Sequence, residues 1–372
     1  MADPKDTSKP AGQLPQPGVD LTAAPDWWLT RPQEIRDFLE SLDGVVVEEI
    51  GKTAGGRPII AAGWGARENL PGRTSQSLCS ALSTGIPSAF YGKGRRQRQS
   101  ILFIGAAHGT EFDGTVAALN CLNIVVTGKD LVGRAQPKMA ENMRRFRWAV
   151  IPILNVDGRE RAADVRHWIG CNDQYFFMRS QGLWADGKIA DWAPSKATWP
   201  MVLDQVKVLG TYYNDAGYNL VYDFPCPECQ SETAALMRFC RREMPDVAIL
   251  SHSNAGSLVF GPAATIPSNY KQRVNVIGGA VVMRCLHDGF TKGGLPQTPY
   301  TAGSLDGSGS FYQSDLVYQT CGALPLVIEF PAGWQGYPDN HLALLDIGLG
   351  VLDELCAFGA RYQFRPYEKN EV

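Results

Sequence analysis

The 372-residue chain is short of histidine, with five, and carries no large surplus of charge of either sign, at a net −3. It has no apolar run long enough to cross a bilayer. Each shortage removes a class of function. So weak a charge gives no general electrostatic case for a nucleic-acid or anionic-membrane partner. The one basic stretch, Lys93, Arg95, Arg96 and Arg98, reads as a solvated loop. Met1 to about Pro25 lacks an apolar core segment and is rich in Pro, Asp, Lys and Gly, which predicts a flexible tail and not a secretion signal. The nine cysteines are odd in number and scattered, unlike a disulfide framework, so the expected compartment is a reducing cytoplasm. Cys226-Pro227-Glu228-Cys229 has neither a second cysteine pair nor a neighbouring histidine to complete a zinc knuckle, and reads as structural thiols. No internal repeat is present, and oligomeric state has no signature in the sequence.

What is there describes an ordinary globular protein, 44% hydrophobic and 20% charged. Residues 26–366 read as a single domain between tails at 1–25 and 367–372. Thr30-Arg31-Pro32-Gln33 has the form of a capping box ahead of Ile35, Phe38, Leu39 and Leu42 at helical spacing. Val45 to Ile50 and Pro58 to Trp64 read as strands joined by a hairpin connection. Helices are expected at Thr115–Val126, Ser231–Met244, Asn269–Leu286 and His341–Phe358, and buried strands before His108, at Trp148–Leu154, before His252 and before Glu329. This alternation predicts an α/β fold, a mixed, largely parallel twisted sheet with helices on both faces. Arg67 to Ser100 reads as a long excursion, and the aromatic-rich stretch Arg159 to Asp215 as an irregular layer over the sheet.

Three apolar runs carry the chemistry. Ile101-Leu102-Phe103-Ile104-Gly105-Ala106-Ala107 leads into His108-Gly109-Thr110-Glu111, which offers two zinc-type ligands three residues apart. Val247 to Ser251 ends in His252, and Leu324 to Ile328 ends in Glu329, a carboxylate behind apolar neighbours. Burying such a group is costly unless it is paired, hydrogen-bonded or functional. Two histidines and two glutamates at strand ends can meet beyond the carboxyl edge of one sheet, where open α/β folds bind their ligands. His167, His287 and His341 sit in polar or helical sequence and read as solvated or core-edge residues.

The order of these features resembles the zinc carboxypeptidase family of metallopeptidases over roughly residues 30–360. Glu48 to Ile59 looks like that family's amino-terminal hairpin, His108 and Glu111 like its H-x-x-E, Asn155-Val156-Asp157-Gly158 like its N-P-D-G turn, and His252-Ser253 like its third-ligand H-S. Asp315, in the segment leading to Glu329, matches a family Asp. The resemblance implies zinc (Zn²⁺) on His108, Glu111 and His252, with Glu329 as general base.

The substrate side departs from the family pattern. Gly217 to Pro225 aligns with G-V-D-L-N-R-N-F-P, but Val221 and Tyr222 stand where the family's Asn-Arg pair grips a terminal carboxylate, a bidentate clamp that neither replaces. Asn219 stands where an Asp would orient a metal-bound imidazole. Arg161, Arg166 and Arg179 are candidates for the family's carbonyl-polarising Arg, with Arg179 the chosen one. Tyr300 or Tyr312 is the candidate for its mobile Tyr, with Tyr300 chosen. The resemblance implies a zinc-dependent hydrolase that cleaves a peptide or amide bond, on a peptide or an acylated amino acid. The alternatives are an acyl-amino-acid deacylase or cell-wall peptide amidase on the same fold, and a non-catalytic zinc-stabilised binding protein.

Overall fold

The structure is a computed structural model and describes residues 14–68, 97–190, 200–223, 228–261, 263, 265–290 and 312–366. Nine strands and nine α-helices follow along the described chain: α1 (Pro32–Ser41), β1 (Val45–Lys52), β2 (Pro58–Trp64), β3 (Ser100–Ile104), α2 (Asp113–Thr127), α3 (Pro137–Met143), β4 (Arg147–Ile151), α4 (Val156–Arg161), α5 (Asp173–Ser180), β5 (Gly182–Trp184), β6 (Val206–Leu209), α6 (Ser231–Glu243), β7 (Val247–Asn254), β8 (Val259–Gly261), α7 (Ser268–Asp288), α8 (Gln313–Cys321), β9 (Leu324–Pro331) and α9 (His341–Arg361). Among the described residues no helix is long and apolar enough to cross a membrane.

Seven strands make one sheet in the order β1-β2-β4-β3-β7-β9-β8. Its centre is parallel across β4, β3, β7 and β9, and its flanks are antiparallel. The sequence accounts for this split. The central runs Ser100–Ile104 and Val247–Ser253 are buried at every position, as strands covered on both faces must be. The edge strand β1 carries Glu48, Glu49 and Lys52 and has no fully buried position. Helices α2, α3, α7 and α9 pack together as one layer, and α1, α6 and α8 with β1 and β9 as another.

The chain crosses from β3 through α2 to β4 on one side of β3, and later enters β7 on the other side. The crevice beyond the carboxyl ends of β3 and β7 is therefore the sheet's topological switch point, where such folds bind ligands.

Local differences from the sequence reading have physical causes. The capping box at Thr30 does not form: Arg31 is the N-cap, without a side-chain cap, and the Thr30 hydroxyl is buried. Asn155-Val156-Asp157-Gly158 is the first turn of α4, because the Asn155 side chain accepts from Gly158 N at 2.8 Å as an N-cap. The N-terminal segment is held to the domain from Pro17 onward. Leu21 is buried, its carbonyl accepts from Arg166 N at 2.8 Å, and the Pro17 carbonyl accepts from Asn172 N. The aromatic-rich middle builds a second apolar core of Trp28, Phe112, Trp168, Tyr175 and Phe176.

Candidate metal centre

β3 delivers the first two candidates. Ala106 turns the backbone through the left-handed region (φ 44), a conformation that costs a residue with a Cβ about 1 kcal/mol and that recurs at functional sites. The loop beyond it must then touch α4. An added Cβ at Gly109 would lie 2.3 Å from the Arg159 backbone nitrogen, and one at Gly158 would lie 2.3 Å from the Thr211 carbonyl oxygen. Only glycine fits at either position. The contact is fastened by Gly109 N donating to the Thr211 carbonyl at 2.9 Å and by the Thr110 and Thr211 hydroxyls at 2.7 Å.

The hairpin and the Asn155-to-Gly158 motif belong together for a related reason. The buried Asp157 carboxylate accepts from Thr53 Oγ1 (2.5 Å) and Arg57 Nη1 (2.7 Å) of the hairpin on one oxygen. On the other it accepts from Gly55 N (2.9 Å) and from Asp215 N (3.0 Å).

β7 and β9 supply the other two candidates in parallel register, His252 directly beside Glu329. Within the crevice His108, Glu111 and His252 are all buried, and one potential ligand atom from each lies within 4.8 Å of the others. The two Glu111 oxygens face the two imidazoles, Oε1 at 2.9 Å from His108 Nδ1 and Oε2 at 2.8 Å from His252 Nδ1. Burial works against the Glu111 anion, but the charges and hydrogen bonds of both rings outweigh it and hold the carboxyl down at about 2.

The hydrogen bonds around His108 leave one nitrogen able to face a cation. Asn219 Oδ1 accepts the backbone N–H of Val221 at 3.1 Å, which fixes which end of the amide is oxygen. His108 Nε2, 3.2 Å from the same oxygen, must therefore carry a proton. In a neutral ring the lone pair is then on Nδ1, directed at an anionic carboxylate oxygen. With both ring nitrogens protonated, His108 donates to Asn219 and to Glu111; with Nδ1 deprotonated, a cation between Nδ1 and the carboxylate takes that proton's place, so the pair can exchange a proton for a metal ion. Two imidazole nitrogens and a carboxylate are a zinc-type donor set, leaving a fourth position for water or substrate. These residues fit the ion.

The sequence profile of the zinc carboxypeptidase family matches residues 35–285, a span that contains His108, Glu111 and His252. The chain belongs to that family. It is therefore a metal-dependent peptide hydrolase, and zinc is its family's cofactor. Solved structures of similar fold include the metallo-carboxypeptidase from Burkholderia cenocepacia, at 14% identity and TM-score 0.52 over 88% of this chain and 68% of that one. Thrombin activatable fibrinolysis inhibitor aligns at 14% identity and TM-score 0.53, covering 88% and 73%. Bovine thrombin-activatable fibrinolysis inhibitor, in a complex with tick carboxypeptidase inhibitor, aligns at 12% identity and TM-score 0.51, covering 89% and 97%. At such identities the likeness is one of fold. No curated protein is matched by the sequence.

Other groups around this zinc carboxypeptidase centre have different surroundings. Glu329 keeps a little solvent exposure, yet burial pushes its carboxyl up to about 7, with His252 pulling it down and Glu111 up. Arg179 bonds Asp164 at 2.6 Å and lies over the Tyr175 ring, while its carbonyl accepts from Thr211 N. Arg161 is tied to Asp215 and to the carbonyls of Gly210 and Tyr213, and Arg166 to Glu34 and the Trp28 carbonyl. Tyr300 lies outside the described residues, as do Cys226 and Pro227 of the cysteine pair and most of the Arg67–Ser100 excursion. Tyr312 meets Tyr222 ring to ring at 5.5 Å. Asp315 is structural: it accepts the Tyr312 N–H at the start of α8, and the N–H and hydroxyl of Thr265.

Sequence reasoning missed two groups. Asp113 is buried beyond Glu111 and accepts from Ser253 Oγ at 2.7 Å, which gives the Ser after His252 a task, and burial raises its carboxyl to about 7. Tyr212, one aromatic among many in the irregular layer, stacks on His108 with ring centroids 3.8 Å apart and planes 12° apart. Nothing in local sequence distinguishes either, since both contacts span separate elements.

Proposed function

We propose that His108, Glu111 and His252 hold the zinc ion and that Glu329 is the general base and acid of peptide-bond hydrolysis. The observation that carries this is the parallel register of β7 and β9, which sets Glu329 beside His252 at the edge where Glu111 meets both imidazoles. A zinc ion held by these residues would supply Lewis acidity, which lowers the pKa of a bound water from 15.7 to about 7. Glu329 would accept a proton from the attacking water and return it to the leaving nitrogen. Burial lifts its carboxyl, and a zinc ion held beside it would pull the other way, towards the carboxylate that a base requires. Asn219 accepts the His108 Nε2 proton and so keeps Nδ1 free as a donor atom.

At the substrate end, the reading is a grip without the family's Asn-Arg pair. Tyr222 is held protonated by burial and by Tyr312, Glu329 and Glu111 around it, so it offers a neutral hydroxyl where the family pattern has a guanidinium. A permanently charged bidentate clamp favours a free carboxylate strongly, and a neutral donor does not. Arg179 is kept as the proposed carbonyl-polarising cation; its guanidinium bonds Asp164 at 2.6 Å and lies over the Tyr175 ring, so it would leave Asp164 to reach a substrate.

Glu329→Gln tests the base. Hydrolysis of a blocked peptide is expected to fall by about 10²–10⁴-fold with zinc content unchanged, and an unaltered rate would refute the assignment. Paired substrates ending in a free carboxylate or a carboxamide test the grip. Rates within about tenfold of each other are expected, and a thousandfold preference for the carboxylate, about 4 kcal/mol, would show that a charged clamp exists elsewhere.

A further inference from the structure

Tyr212 is almost fully buried, at 8% exposed, and is fixed from three directions. Its ring lies flat on His108. Burial, and the Glu111 carboxylate beside it, keep its hydroxyl protonated. Its backbone N–H donates to the Ser180 carbonyl at 3.0 Å, beside the Thr211 contacts that bind this loop to Gly109 and Thr110. One side chain therefore touches two of the three groups that would hold zinc.

We infer that Tyr212 is the positioning residue of the metal centre: its ring sets the plane of His108, and its hydroxyl fixes the orientation of the Glu111 carboxylate. The inference rests on the proposed ligand set. Its physical basis is the freedom of a carboxylate. Glu111 has about four lone-pair positions and three rotatable bonds, and facing two imidazoles leaves it able to rock between them. A hydroxyl can only donate to a carboxylate, so it occupies one lone pair, stops the rocking and leaves the anionic charge intact for a cation. A lysine or arginine in its place would neutralise that charge. The flat stack restrains His108 in the same way from one face, while Asn219 holds its far nitrogen. Partners of this kind change metal affinity by about 10–100-fold when lost.

Tyr212→Phe separates the two contacts, because it keeps the ring on His108 and removes only the hydroxyl. Zinc affinity is measured on the full chain by competition with a chromophoric chelator, and the cobalt(II)-substituted protein gives the visible ligand-field spectrum. The expected result is about tenfold weaker zinc binding with a shifted cobalt spectrum, and a further loss of affinity in Tyr212→Leu, where the stack also goes. A residue that only filled space would leave both readouts of Tyr212→Phe at the wild-type values. Zinc affinity within twofold of wild type together with an unchanged cobalt spectrum overturns the inference while leaving the ligand set intact. A wild-type protein that binds no zinc overturns the ligand set itself.

Discussion

Replacing Asp157 by Asn changes one atom in a buried side chain, and the structure allows its cost to be worked out. The carboxylate accepts four donors, Thr53 Oγ1 and Arg57 Nη1 on Oδ1, and the amides of Gly55 and Asp215 on Oδ2. An asparagine amide has one oxygen and one NH₂. Whichever way it flips, the NH₂ meets two donors, so two hydrogen bonds to a charged acceptor are lost. Such bonds contribute about 1.5–3 kcal/mol each, an upper total of about 6 kcal/mol. Two features reduce that total. Arg57 is 38% exposed at its side chain and can turn to water, and Gly55 is exposed. The expected loss of unfolding free energy is therefore about 2–4 kcal/mol. Urea unfolding at pH 7, compared with wild type, measures it. A loss below about 1 kcal/mol would mean that the four contacts are replaceable by solvent, and the account of why the hairpin and the Asn155-to-Gly158 motif occur together would fail.

The remaining predictions use other parts of the molecule. His341 is enclosed by Trp28 and His167, and burial, with His167 and Arg166 nearby, holds its pKa down at about 4, against an ordinary 6.5. Between those values the unfolded chain binds the proton that the folded one refuses, so stability rises with pH across that window and is lost on acidification from 6.5 towards 4. The loss is expected to be about 2 kcal/mol after allowance for partial exposure. His341→Gln should flatten this part of the stability profile, and an unchanged slope would refute the assignment. For Arg179, substitution by Ala is expected to raise KM several-fold and leave zinc affinity alone. Equal KM values would remove it from the substrate cleft.

Much of the candidate site was legible before any tertiary information. His108, Glu111, His252 and Glu329 each follow an apolar run, and a run of that kind is both a buried strand and, at its carboxyl end, an address on the sheet's edge. The substrate side was harder to read. Arg161, Arg166 and Arg179 stood equally in an irregular stretch without periodicity, and their different partners, Asp215, Glu34 and Asp164, come from remote parts of the chain.

The sequence by itself determined the α/β class, the motif order and the four residues at strand ends, because hydrophobic period and chain order are local properties. Tertiary structure alone decided three things. The β7–β9 register set Glu329 beside His252 and not one residue away, where its side chain would have faced the opposite side of the sheet. The closeness of Gly109 to Arg159 and of Gly158 to Thr211 fixed where the aromatic-rich layer meets the ligand loop. That layer then laid Tyr212 on His108 across more than a hundred residues of chain. Contacts of that kind depend on where strands pair and which backbones can touch, and no local pattern of residues encodes either.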